Sequence, residues 1–264
     1  MKKIHLVANW KAHPKEVTEA KRLALSVKDA VAKTRSIEVT LAVPYPFLTA
    51  VGEVIGRSTR CFLAAQEVSV VDEGAHTGAV TASMLKSVGV TEIIVGHSEQ
   101  RAQGLTDEGV RARIEKIFKR RLSVVLCVGE QERDAHGAYL KVIQTQLLTA
   151  LRGAPKAAAG RLVIAYEPLW AIGEDAQSAD TPAGFHEVAI YIRKVLSEQF
   201  GARVALTIPV LYGGSVNPEN TGSFLLEGHA SGLLVGRASL LPASFKSIIA
   251  EADRVGGMRT RTSS

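Results

Sequence analysis

The chain is expected to fold as an α/β protein, a closed parallel (β/α)8 barrel, and three observations carry that expectation. Short apolar, β-branched runs recur eight times, a stretch of helical period separates each from the next, and polar residues or glycines stand at the C-terminal end of nearly every run. Strict alternation of strand and helix predicts parallel strands joined by right-handed crossovers, and eight such units are the number that closes a barrel. A doubly wound open sheet is the structural competitor. It is disfavoured because no Gly-x-Gly-x-x-Gly follows the first strand. The strand ends also carry Asn9, Lys11, Gln66, His97, Glu130, Glu167, Gly213 to Ser215, Gly236 and Arg237, which converge on one face in a barrel.

The eight runs are Ile4 to Ala8, Ile37 to Val43, Arg60 to Ala65, Glu92 to Val95, Ser123 to Val128, Leu162 to Tyr166, Ile208 to Tyr212 and Leu233 to Val235. Between them, Val17, Ala20, Leu23, Ala24, Val27 and Val31 repeat with the helical period, as do Val110, Ile114, Ile117 and Phe118. Thr106-Asp107-Glu108, Thr181-Pro182 and Asn217-Pro218-Glu219 mark helix starts, each with a capping residue or a proline in the first turn. Residues 1–253 therefore read as a single barrel domain. Residues 254–264, rich in Gly, Ser, Thr and Arg and without apolar periodicity, read as a disordered tail.

Composition narrows the class of function. With 264 residues, 46% hydrophobic and 22% charged, the chain has the balance of a globular protein with a sizeable core. The net charge is +6, but the cations are interleaved with acids, as in Arg111-Ala112-Arg113-Ile114-Glu115-Lys116, so a solvated surface is expected rather than a nucleic-acid face. Cys61 and Cys127 lie inside apolar runs and read as buried thiols in a reducing compartment. No apolar run is long enough to span a bilayer, and the short apolar start is interrupted by His5, Asn9 and Lys11. The chain is expected in the cytoplasm, with no membrane partner.

Glu167 places a carboxylate at a strand end between apolar segments, which suits general-base work in a barrel although a lone Glu is more often solvated. Ala171 to Asp180 follows it, small and polar, with the make-up of a lid. His97 ends the fourth strand, where a structural hydrogen-bonding role is the ordinary reading. Its His-x-Glu spacing with Glu99 lacks the Pro-Cys-x-x-Cys partner of a zinc deaminase, and no other cluster has metal-ligand spacing, so no metal is expected. Tyr212-Gly213-Gly214-Ser215-Val216 and Leu234-Val235-Gly236-Arg237-Ala238-Ser239 put glycines after strands seven and eight, the recurring phosphate site of barrels. Lys11, two residues past Asn9, is either a surface lysine or a cation on the rim of that site.

Asn9-Trp10-Lys11, Gly96-His97-Ser98-Glu99, Cys127-Val128-Gly129-Glu130, Tyr166 to Gly173, Tyr212 to Val216 and Gly236 to Leu240, in that order, resemble the triosephosphate isomerase family from strand one to the helix after strand eight. The resemblance implies a TIM barrel that interconverts dihydroxyacetone phosphate and D-glyceraldehyde 3-phosphate through an enediolate, in glycolysis and gluconeogenesis, without a cofactor. It assigns Glu167 as the base, His97 as the group that polarises the carbonyl, Lys11 as the stabilising cation and Glu99 as its support or a proton relay. Asn9, Lys11, Gly173, Ser215, Gly236 and Arg237 would bind the substrate and its phosphate. It also implies a homodimer, with Glu73 to Gly78 in the family's interdigitating third loop.

The sequence departs from the family pattern at three places. Glu174-Asp175-Ala176 stands at the lid tip, Arg237 replaces a glycine after strand eight, and Ala12-His13-Pro14 follows Lys11. Two other readings stay open at this level. One is a four-carbon ketose phosphate as substrate, and the other is a binding or regulatory protein on a barrel that has retired from catalysis.

Overall fold

The computed structural model describes residues 3–134, 136–171 and 180–261. Eight parallel strands run in sequence order around a closed barrel: β1 (Ile4–Asn9), β2 (Ile37–Val43), β3 (Cys61–Ala65), β4 (Glu92–Val95), β5 (Ser123–Val128), β6 (Leu162–Tyr166), β7 (Val210–Tyr212) and β8 (Gly232–Val235). The connections carry α1 (Val17–Ala32), α2 (Leu48–Ile55), α3 (Ala82–Ser87), α4 (Ser98–Ala102) and α5 (Asp107–Lys119) in the first half. The second half carries α6 (Ala138–Leu151), α7 (Pro182–Phe200), α8 (Ala202–Ala205), α9 (Pro218–Leu226) and α10 (Pro242–Arg261).

The ring closes where β1 pairs with β8, from His5 opposite Gly232 to Ala8 opposite Val235. Glycine is required at that seam, because a Cβ on Gly232 would stand 1.8 Å from the His5 carbonyl oxygen. The seventh strand is shorter than its apolar run, since Pro209 has no N–H for a ladder. Its carbonyl still accepts a bond from Ile164 N at 2.9 Å.

Both strand faces are apolar because both are covered. Val7, Ala42, Ala64, Ile94, Val125, Cys127, Ala165, Leu211 and Leu234 form one buried cluster, and the larger cluster joins alternate strand residues to the inward stripes of the helices. On α1 that stripe is Ala20, Leu23, Ala24, Val27 and Val31. The three helix starts read from sequence are capped as expected: Thr106, Thr181 and Asn217 accept bonds from Gly109 N, Gly184 N and Asn220 N, the last within a capping box. Cys61 and Cys127 are free, buried thiols.

One expectation is corrected at the C-terminus. The segment from Arg254 belongs to α10, which runs to Arg261, and Val255 is buried. Gly256 and Gly257 disfavour a helix by propensity, but at Gly256 a Cβ would meet Ser36 Cβ at 2.5 Å, so the missing side chain lets α10 lie against the turn before β2. Tertiary packing outweighs the local composition.

Candidate active site

At the C-terminal end of the strands, a cleft of about 480 Å³ is lined by Asn9, Lys11, His97, Ser98 and Glu167. Gly213, Gly214, Ser215, Gly236 and Arg237 line it as well. Residues far apart in sequence meet there because each occupies the same position, just past a strand end.

Glu167 follows β6 and is 3% exposed. Its backbone is fixed by Glu167 N donating to Val128 O at 2.8 Å, and the neighbouring β5 end must be glycine, since a Cβ on Gly129 would lie 1.8 Å from the Glu167 carbonyl oxygen. Gln146, buried on α6, clamps that glycine from behind: it accepts from Gly129 N at 2.9 Å and donates to Gly129 O at 3.0 Å. The carboxylate takes a bond from Ser98 N at 3.0 Å and lies 3.1 Å from His97 Nε2. Burial pushes the Glu167 carboxyl above its ordinary range, against the pull of His97, the Ser98 N–H and Lys11.

His97 caps α4, and its Nδ1 accepts a bond from Glu99 N at 3.2 Å. A nitrogen that accepts carries no proton, so in this arrangement Nε2 bears the ring proton. Nε2–H then faces Glu167 and the cleft.

Lys11 has a left-handed backbone, with φ of 53°, which a non-glycine residue holds only under local constraint. Two side chains supply it: Asn9 Oδ1 accepts from Lys11 N at 3.0 Å, and Gln66 Nε2 donates to Lys11 O at 2.9 Å and to Ala42 O at 2.9 Å. This backbone turn sends the lysine chain past Gly236, where a Cβ would come within 3.6 Å of Lys11 Cε, and brings Nζ to 2.7 Å from Glu99 Oε1. Glu99 does not line the cleft; it reaches it through Lys11 Nζ and through His97, whose Nδ1 takes the Glu99 N–H.

Beside Glu167, the turn Gly213 to Ser215 is tied down by Gly213 N donating to Tyr166 O at 2.8 Å and by Asn220 Nδ2 donating to Ser215 O at 2.8 Å. Ser215 Oγ donates to Ala171 O at 3.0 Å. Gly236 precedes a short 3₁₀ turn, Arg237–Leu240. Backbone N–H groups at two adjacent strand ends can hold an anion there. Gly173, with Glu174 and Asp175 of the expected lid, lies outside the described residues.

Where the lid begins, Glu130 is buried and its Oε1 accepts from Tyr166 OH at 2.7 Å and Trp170 Nε1 at 2.8 Å. Burial raises the Glu130 carboxyl above its usual range. Sequence reading noticed Glu130 and Gln66 at strand ends without giving them a task, and it passed over Gln146. A polar residue on the inward stripe of α6 was the available signal. Among the described residues, no group of three or more His, Cys, Asp and Glu is gathered to hold a metal.

The cleft thus gathers a buried carboxylate, an imidazole, a lysine and two glycine turns, groups chemically suited to binding an anion and moving a proton. Comparison with known proteins agrees with that chemistry. Residues 4–252 match the triosephosphate isomerase family. Among the most similar curated relatives, the triosephosphate isomerase of Alkaliphilus oremlandii is 37% identical over 252 residues, 94% of this chain and 99% of the relative. That of Rhodopirellula baltica is 38% identical over 255 residues, 95% of this chain and 98% of the relative. That of Geobacter metallireducens is 37% identical over 247 residues, 92% and 96% respectively. With the barrel, the ordered strand-end residues and near-complete coverage in agreement, the chain belongs to the triosephosphate isomerase family.

Proposed function

We propose that the chain interconverts dihydroxyacetone phosphate and D-glyceraldehyde 3-phosphate by moving one proton between adjacent carbons, with Glu167 as the carrier. The observation that bears most weight is the placement of a buried carboxylate against an imidazole nitrogen, in one cleft with a lysine and two glycine turns. Glu167 takes the proton from the carbon beside the carbonyl, and the electron pair passes to the carbonyl oxygen to give an enediolate. His97 Nε2–H donates to that oxygen, and Lys11 offsets the negative charge. Glu167 then returns the proton to the neighbouring carbon, whose hydroxyl gives up its proton to the former carbonyl oxygen, so that hydroxyl and carbonyl exchange places. Both carboxylate oxygens of Glu167 are held here, by Ser98 N and His97, so the side chain has to leave these partners to reach a substrate carbon. That exchange also frees His97 Nε2–H for the carbonyl.

Asn9 and Lys11 contact the body of the substrate, and Ser215, Gly236 and Arg237, with Gly173 of the lid, take its phosphate. Glu99 holds Lys11 Nζ in place. Turnover of glyceraldehyde 3-phosphate in a coupled assay tests the reading; a purified, folded chain that binds the phosphate ester without isomerising it would overturn it.

The working form is a homodimer. The exposed stretch from Glu73 to Gly78, on the connection after β3, supports this. Light scattering should give twice the chain mass, and a monomer at assay concentration would refute it. No helix among the described residues is long and apolar enough to cross a membrane, which fits a cytoplasmic enzyme.

A further inference from the structure

Cations that alternate with acids along the sequence do not stay interleaved in the fold. In a parallel barrel every helix-to-strand connection returns to the N-terminal end of the strands, opposite the candidate active site. Lys33 and Arg35 precede β2, Arg57 and Arg60 precede β3, and Arg120 and Arg121 precede β5. Arg152, Lys156 and Arg161 lie ahead of β6, and Arg203 ahead of β7. Glu227 is the sole acid on the connections that lead into β2 through β8.

Lys33, Arg35, Arg57, Arg121, Lys156 and Arg203 are exposed, while Arg120 and Arg152 pair with Glu73 and Glu108. Nearby acids are largely engaged: Glu38 pairs with Lys3, Glu53 with Lys21, and Asp253 accepts the amides of Arg35 and Ser36. Asp29 in the last turn of α1, Glu198 in the last turn of α7 and Glu227 remain as exposed negative groups. Within this end of the barrel lies a depression of about 460 Å³, walled by Lys28, Arg57, Ser58, Thr59 and Arg60 over an apolar floor, with no acid in its lining.

We propose that this end of the barrel is a docking surface for double-stranded nucleic acid, gripping its phosphates without reading its bases. The exposed cations are mostly arginines, whose planar fork matches a phosphate better than an ammonium does. The connections carry no Phe, Tyr or Trp, so they lack the stacking platforms that hold single strands and the aromatic anchors of a bilayer-docking face. The helical pieces on these connections, α8 and the 3₁₀ turn Lys156–Arg161, are too short to serve as a recognition helix in a groove. What remains is sequence-independent contact with a duplex backbone, spaced around a ring of connections.

The test is fluorescence anisotropy of the full chain with a short labelled DNA duplex, repeated between about 50 and 200 mM salt. Three to five neutralised phosphates predict a log–log slope of about −2.7 to −4.5. The triple variant Arg57→Glu, Arg121→Glu, Arg203→Glu should bind at least tenfold more weakly while turning over glyceraldehyde 3-phosphate at the wild-type rate. The milder Arg57→Gln, Arg121→Gln pair should fall between, and it keeps the test open if three reversals prevent folding. Binding that is absent or insensitive to salt, or a folded charge-reversed variant that binds as tightly as wild type, would overturn the proposal. Tighter binding to phosphatidylserine vesicles than to the duplex would overturn it in favour of a membrane.

Discussion

Replacing Glu167 with glutamine separates what the carboxylate does for catalysis from what it costs the fold. The side chain is 3% exposed and its carboxyl is pushed upward by burial, so the charged form is held in place against desolvation. Glutamine has the same shape and can still accept the Ser98 N–H, which lies 3.0 Å from the present oxygen, but it cannot take a proton from carbon. Loss of a general base predicts a fall in kcat/KM of about 10²- to 10⁴-fold, roughly 3 to 5 kcal/mol of barrier. Stability should move the other way. Folded Glu167 keeps its proton to a higher pH than it does unfolded, so wild type loses stability as pH rises from the ordinary carboxylate value through the raised one. Glutamine has no proton to lose, and that loss should be missing. The assays are coupled turnover of glyceraldehyde 3-phosphate and chemical denaturation at a series of pH values across that interval. Undiminished turnover by Glu167→Gln would refute the assignment of the base. A variant whose stability falls with pH as steeply as wild type would refute the account of its burial.

The remaining predictions probe the groups around it. The acid limb of kcat/KM should lie above the usual carboxylate range, since activity needs Glu167 deprotonated and burial raises its value; a limb at the ordinary glutamate value would contradict this. Lys11→Gly should lose about 10²- to 10³-fold in kcat/KM while its melting temperature holds or rises, because the φ of 53° suits glycine and the stabilising cation is gone. Gly129→Ala places a Cβ 1.8 Å from the Glu167 carbonyl oxygen, backbone against side chain with little room to yield, and should cost upwards of about 2 kcal/mol in urea denaturation. At the other end of the barrel, His5 Nε2 lies 2.9 Å from Thr40 Oγ1 and 3.3 Å from Glu92 Oε2. Burial opposes the charge on His5, but Glu92 and Glu38 together outweigh it and the imidazole value is raised. That contribution to stability is fully present below the ordinary histidine value and is lost as pH rises through the raised one, and His5→Phe should abolish the dependence.

The barrel was legible in the sequence because its signals are local and repeated: β-branched runs for strands buried on both faces, helical stripes between them, and capping residues at Thr106, Thr181 and Asn217. Site residues were legible for a related reason. A closed parallel barrel sends every strand end to one face, so position along the chain stands in for position in space, and Asn9, Lys11, His97, Glu167 and the two glycine turns meet in one cleft. What was not legible depends on contacts between distant segments. Gln146 and Gln66 hold Gly129 and Lys11 through bonds that no local pattern announces. The α10 extension rests on Gly256 fitting against Ser36, where composition alone pointed to a tail. Charge interleaved with acids along the chain concealed the basic end of the barrel, because alternation in sequence is undone when all the helix-to-strand turns gather at one end.

The central claim is that a single proton moves between adjacent carbons by way of Glu167, and isomerisation run in D2O tests it most directly. Carried on a carboxylate that can exchange with solvent, the proton taken from glyceraldehyde 3-phosphate should be replaced in part by deuterium, so the dihydroxyacetone phosphate formed early in the reaction should carry solvent deuterium at its hydroxymethyl C1. Product with only protium at C1 at every stage of turnover would mean that hydrogen passes between the carbons without visiting an exchangeable base, and the account given for Glu167 would be wrong.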